Sequence, residues 1–296
     1  MIRTDGSSSA RAEREAELRA VTYLAPGLPL GLFEIVVTEL ACALGRGWTL
    51  QSEVQSSGPM HVHDDPFRTA AVDLGFLCSP SFLFLRSCAE PTIDLVPRGF
   101  VFADSRSAGR AQYFAELVVP ASKGVRAFDE LAGGVFGFND SCSLSGYFAM
   151  QQHLCERRLD GFFSQQRCTG SHRASLDALR SGAIDCASID SNVLARVFHE
   201  EPEWRAALHV LASFGPFPIQ PIVVRRGKGL PTALELADLL DEVMLDSSVE
   251  AKLARHGVVG FAPLTETDFE AERCALARLG CLPPQDLDQI ASEEQP

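Results

Sequence analysis

The sequence is short of positive charge. Its 26 Lys and Arg residues face 39 Asp and Glu, a formal net charge of −13. That balance excludes an ordinary nucleic-acid binder, which needs a basic face to displace counterions. It leaves an anionic ligand open, because backbone N–H groups and hydroxyls can hold a buried anion whatever the global charge. Cysteine pairs are missing as well. The nine cysteines (Cys42, Cys78, Cys88, Cys142, Cys155, Cys168, Cys186, Cys274 and Cys281) form no CxxC and no zinc-ribbon spacing. Their odd number and apolar neighbours point to buried free thiols in a reducing compartment. No apolar run reaches membrane-spanning length, so no membrane insertion is expected. The opening MIRTDGSSSARAEREAELRA has no apolar stretch of the secretory kind. The expectation is a soluble, cytoplasmic protein as given, or a periplasmic or extracellular one if a signal has been lost. GxSxG, HExxH, a P-loop and GxGxxG are all absent, so no nucleophile or nucleotide motif is in view.

What is present is ordinary globular material: 46% apolar and 22% charged residues over 296 positions, enough for two lobes. AVTYLAP (20–26) reads as a first strand, closed by the turn signal PGLPLG. Phe33, Val36, Val37, Leu40 and Leu44 recur at helical spacing, with Gly45 as the stop. WTLQSEVQ reads as a second strand. VDLGFLCSPSFLFL (72–85) reads as a buried parallel strand turning at Ser79-Pro80, and IDLVPRGFVFAD as a strand pair. The middle repeats strand, polar turn and helix three times. The C-terminal part carries a helical stripe of Leu236, Leu239, Leu240, Val243 and Met244. Alternation of this kind implies an α/β fold with largely parallel sheets. Extended segments near 111–120 and 213–224 are the candidate crossings between lobes. The organisation expected is a disordered tail over 1–19, a discontinuous first lobe over 20–115 and 217–285, a second lobe over 116–216, and a polar tail over 286–296.

Three turns could carry chemistry. In NDSCSLSGYF (139–148) a strand ends and a helix starts near Ser143, so Ser143 and Ser145 sit at a helix start with free N–H donors and the positive dipole end. With the backbone and Gly146 they form either an oxyanion cradle or a plain N-cap, two readings of equal weight. In TGSHRASLDALRSG (169–182), Ser171 is a natural N-cap and His172 falls in the first turn. A single His is more often structural. In AIDCASIDSNVL (183–194), Ser188, Asp190 and Asn192 alternate and could share a face, or form a surface turn. HVHDD (61–65) reads as a solvated loop rather than a metal set. Cys142, beside a helix start, is a candidate for thiolate character.

The order and spacing of VDLGFLCSPSFLFL, YFAELVV, FGFNDSCSLSGYF, CTGSHRASL, GAIDCASIDSNVL and PFPIQPIVVR resemble the phosphate, phosphite and phosphonate binding components of ABC transporters. The match is strongest over about 70–225 and weaker over about 20–270. The resemblance implies an α/β, two-lobed type II periplasmic-binding-protein-like fold, with mixed sheets flanked by helices and two crossover strands. It implies an oxyanion held by Ser143, the N–H of Leu144, Ser145 and His172, with Phe82 closing over the ligand; Gly146, Ser171, Asp190 and Tyr23 complete the set of candidate ligand-binding residues. Asn192 and Gln220 stand where acidic side chains hold the amine in members that bind aminoalkylphosphonates. Their neutrality argues against a buried ammonium. An ABC transporter membrane component is the implied partner, and no cofactor or metal is implied. The function expected is solute binding rather than catalysis. The alternatives are a lyase or biosynthetic enzyme using His172 with Asp190 or Cys142, and, more weakly, a ligand-controlled regulatory domain acting through a partner.

Overall fold

A computed structural model describes residues 17–25 and 27–282. Most of the expected N-terminal tail and all of the C-terminal polar tail lie outside them. Residues 17–19, placed in that tail by the sequence, belong to the first strand, β1 (Glu17–Thr22). Arg19 is held there by Asp73 and by the carbonyl of Ala70, so the strand reaches further back than its apolar residues alone indicate.

One five-stranded sheet runs in the order β2 (Gly47–Ser52), β1, β3 (Leu74–Phe76), β11 (Ile222–Arg225), β4 (Ile93–Leu95). The other runs β8 (Gln165–Cys168), β7 (Val135–Phe138), β9 (Cys186–Asp190), β6 (Gln112–Pro120), β10 (Leu208–Pro218). The order is the same in both: second, first and third strands of the unit lie parallel, and a strand from a different stretch of chain then enters antiparallel. A small antiparallel pair, β5 (Arg98–Phe102) with β12 (Val258–Pro263), flanks the first sheet. The expected pairing within IDLVPRGFVFAD is therefore corrected. Pro97 separates β4 and β5, which join different sheets.

Helices form where the apolar periodicity places them. In α1 (Leu30–Ala43) the residues Phe33, Val36, Val37 and Leu40 are buried, and Phe33 packs on Phe76 at 4.9 Å between ring centroids. Gly45 supplies the left-handed stop, at φ +63°. The second half of 72–85 is not strand but α2 (Ser79–Ser87). Pro80 sits in its first turn, where its missing N–H costs nothing. In the second lobe, α3 (Ala149–Glu156), α4 (His172–Arg180) and α5 (Ser191–Glu200) come after β7, β8 and β9, and a short α6 (Glu203–Ala207) precedes β10. Their separate core gathers Leu117, Phe136, Phe138, Met150 and Phe163. The C-terminal helices α7 (Ala233–Val243), α8 (Ser247–Ala254) and α9 (Glu270–Arg278) return to the first lobe.

The chain passes between lobes twice, before β6 and between β10 and β11. The two passages touch, since Ile219 N–H donates to the Ala111 carbonyl at 2.9 Å. No helix among the described residues is long and apolar enough to cross a membrane.

Candidate functional site

The turns after β7, β8 and β9 meet the loops after β1 and β2 around a cavity of about 60 Å³. That is room for roughly four to six water-sized atoms. It is not the largest cavity, but it is the one lined by the helix-start residues Ser143, Ser145, Ser171 and His172, which meet Tyr23, Ser56 and Ser57 from the other lobe.

The first turn is built from its own side chains. Ser143 is an N-cap whose hydroxyl oxygen accepts from Gly146 N–H at 3.1 Å. The chain then winds as one wide turn over Leu144–Phe148, with the Ser143 carbonyl accepting from Tyr147 and Phe148, before becoming α3. Ser143 and Ser145 are both buried and line the cavity. A Ser hydroxyl that accepts from the backbone keeps its hydrogen free to donate. Two expectations are corrected here. The Leu144 N–H does not face the cavity but donates across the cleft to Cys78 Sγ, 3.3 Å away, because Cys78 leads into α2 at this level. Gly146 does not leave room for a ligand. A Cβ there would lie 1.6 Å from Asn139 Oδ1, so the missing side chain accommodates Asn139.

Asp140, next to Asn139, was not singled out from the sequence. Its carboxylate accepts from Cys142 N–H at 2.8 Å and Asn139 Nδ2 at 2.7 Å within its own lobe. From the other lobe it accepts from Ser57 Oγ at 2.7 Å and Ser57 N–H at 3.3 Å. Ser57 in turn accepts Cys78 N–H on its carbonyl, so one loop residue ties the 53–65 loop to both sides of the cleft.

The second turn places Ser171 as the N-cap of α4, its hydroxyl accepting from Ala174 N–H at 3.0 Å. His172 lies beside it, buried, with no partner for Nδ1. Burial pushes its imidazolium down to about 4, so the ring is neutral at pH 7 and has a single N–H to give. The third turn ends in Asp190, the N-cap of α5, which accepts from Asn192 N–H at 2.7 Å and Val193 N–H at 3.3 Å. Gln220, on the second passage between lobes, donates to Asp190 Oδ2 at 2.6 Å. Burial raises the Asp190 carboxyl to about 6 against these stabilising bonds.

The shared face expected of Ser188, Asp190 and Asn192 is corrected. The strand ends at Asp190, so Asn192 is already in a helical turn and rotates away. It lines a separate cavity of about 750 Å³ with Arg106, His199 and His256. Ser188 donates to the Ser145 carbonyl. Phe82 is corrected as well: it is fully buried on α2 against Phe269 at 5.0 Å and is not among the residues lining the small cavity. Tyr23 is the aromatic ring that lines the small cavity, its hydroxyl raised to about 12 by burial and by the nearby Glu53, Asp65 and Asp64. Cys142 departs from its expectation too, since burial and Asp140 push its thiol up to about 11. His61 and His63 stack at 5.4 Å on the surface. Among the described residues no group of three His, Cys, Asp or Glu could hold a metal ion.

A family model described as the periplasmic substrate-binding protein of a phosphonate ABC transporter matches residues 37–269. The chain belongs to this family. Among solved structures, a binding protein component of an ABC phosphonate transporter from Pseudomonas aeruginosa is similar at 14% identity and a TM-score of 0.72, covering 94% of this chain and 92% of that one. PhnD1 from Prochlorococcus marinus, solved in complex with methylphosphonate, is similar at 14% identity and a TM-score of 0.74, covering 90% of this chain and 100% of that one. A putative sulfonate-binding protein from Methylobacillus flagellatus is similar at 16% identity and a TM-score of 0.60, covering 88% and 86%. At these identities the neighbours establish the two-lobed fold of the binding-protein family.

Within that family fold, sequence reasoning missed Ser57, Asn139 and Asp140 at the chamber. A signal for the last two was present: Asn-Asp directly after a strand and before a Ser-rich helix start is a standard turn and cap composition. Ser57 had no local signal, because its role exists only across the cleft.

Proposed function

We propose that this protein is the solute-capturing component of an ABC transport system, closing its two lobes on one small phosphonate- or phosphate-like oxyanion. The observation that carries the reading is the convergence of the Ser143, Ser145 and Ser171 hydroxyls and the neutral His172 ring, from two helix starts, on one cavity in the cleft. Ser143, Ser145 and Ser171 donate to the oxyanion, His172 adds an N–H, and Tyr23 closes the first-lobe side. Asp190 and Gln220 form a bonded pair at the wall. Chamber size supports a ligand of about five heavy atoms, the size of phosphate, phosphite or methylphosphonate.

In this reading the first lobe comprises the described residues from β1 to Ala111 and from Ile219 to Leu282, and the second lobe residues 112–218. Closure is a hinge motion about the two passages near Ala111 and Ile219. Such a protein works outside the cytoplasmic membrane and hands its ligand to a membrane component. Catalysis is not the reading favoured. Asp190 is engaged as a helix cap and Gln220 partner, and Cys142 is pushed away from thiolate character.

A thermal-shift screen over methylphosphonate, phosphite, phosphate, sulfonates and small carboxylates tests the class. A cognate ligand at 100 times its dissociation constant stabilises by roughly 2.7 kcal/mol. A panel in which carboxylates alone stabilise the protein would refute a phosphonate- or phosphate-like ligand.

A further inference from the structure

We propose that Asp140 and Asp190 set the charge of the ligand: the chamber takes a small oxyanion that carries a proton, at net charge −1, and turns away the same shape at −2. This deepens the oxyanion reading and rests on it. Nineteen residues line the chamber; two are carboxylates, and neither Lys nor Arg is among them. Asp140 accepts four hydrogen bonds, the full capacity of an ionised carboxylate, from donors on both lobes. It therefore brings negative charge to the wall while offering the ligand no free lone pair. Asp190 is likewise occupied, by two helix amides and Gln220. His172 is neutral and cannot compensate. At such short range and reduced dielectric, each further negative charge on the ligand is disfavoured.

The hydrogen-bonding pattern points the same way. Gln220 donates through Nε2 to Asp190 Oδ2, which orients the side-chain amide and leaves Oε1 as a buried acceptor without a donor. A P–OH group is a donor of the right kind, and a fully deprotonated oxyanion has none. Methylphosphonate is monoanionic below its second ionisation, which lies near neutrality for phosphoryl groups.

Titration of the protein has to be kept apart from titration of the ligand. Around Asp140 stand Cys78, whose thiol is raised by burial, and Cys142, raised to about 11. Tyr23 at about 12, His172 at about 4 and Asp190 at about 6 complete the chamber, and Glu272, near Cys78, titrates at about 8. Methanesulfonate, fixed at −1, reports the protein's share of any pH effect, that of Glu272 included.

Calorimetric titration of the full-length protein at pH 7 and pH 9 with methylphosphonate, methanesulfonate and sulfate provides the test. Methylphosphonate should weaken by at least about tenfold at pH 9, and sulfate should bind at least about tenfold more weakly than methylphosphonate at pH 7. Methanesulfonate should be weaker than methylphosphonate at pH 7, for want of a hydrogen to give Gln220, and should not share the pH effect. Asp140→Asn should narrow the methylphosphonate–sulfate gap; if that variant does not fold, the wild-type series decides alone. Equal methylphosphonate affinity at the two pH values, or sulfate binding as tightly as methylphosphonate, overturns the charge filter while leaving the oxyanion site standing. If none of the three ligands binds at either pH, the site reading falls and the filter with it.

Discussion

The two sheets share one strand order but differ in the segments their strands lead into. In the second lobe the three parallel strands run into helices capped by Ser143, Ser171 and Asp190, each with a side-chain oxygen on backbone amides. In the first lobe, α1 and α2 start after Pro29 and Cys78, neither with a side-chain cap, and β2 continues into the 53–65 loop instead of an α-helix. The first lobe thus presents Tyr23, Leu24, Ala25, Gly27, Leu28 and Val54 to the chamber, with polar help from Ser56 and Ser57. Topology repeats, while the polar equipment is concentrated on one side. Under the proposed function this becomes a division of labour: one lobe would grip the ligand and the other cover it.

Substitutions can break that contrast, beginning with the largest effect. Asp73 is buried in the first sheet between Arg19 and Arg225, at 2.8 and 2.9 Å. Burial alone would raise its carboxyl, but the two guanidiniums outweigh it and hold it below the usual range. A depressed carboxyl adds stability above its unfolded value of about 4, which is lost as pH falls through the folded value. Asp73→Ala should cost about 3–5 kcal/mol in urea unfolding at pH 7, with ligand affinity of the folded fraction unchanged. Gly146→Ala, in the gripping lobe, should cost about 2–3 kcal/mol through the clash with Asn139. Unlike Asp73→Ala, it should also reduce affinity.

A smaller effect depends on pH. Glu272 is buried beside Ser79 with neither carboxyl oxygen in hydrogen-bonding geometry, and burial raises it to about 8. Because its folded value exceeds its unfolded one of about 4.3, stability falls as pH rises from there to about 8. Glu272→Gln should flatten that slope and stabilise the protein at pH 9, by roughly 1–3 kcal/mol once relaxation is allowed for. A melting-temperature series from pH 5 to 9 would read it, and an unchanged slope would contradict the assignment. Least of all, Thr232→Ala removes the exposed capping box of α7 in the covering lobe, at about 1 kcal/mol and with no change in affinity.

Much of this was legible in the sequence because it is local. Apolar spacing marked α1, β6 and β7, and cap chemistry marked the helix starts at Ser143 and Ser171. The features that escaped are non-local or depend on rotation about an axis. Phe82 comes after the right strand, but it lies on a helix that turns it into the core against Phe269. Asn192 keeps the period of a strand two residues after the strand has ended. Leu144 lost its expected partner to Cys78, and Asp140 gained Ser57, both across a cleft no single segment describes. The 72–85 run misled because a short buried strand and an apolar helix share the same composition.

The most direct measurement is calorimetric titration of the Ser143→Ala/Ser145→Ala double variant with the best ligand found for the wild type. Loss of two hydroxyl donors to a charged oxygen should weaken binding by roughly 2–4 kcal/mol, beyond a loss of free-protein stability of about 1 kcal/mol from the Ser143 cap. An affinity equal to that of the wild type would contradict a gripping second lobe.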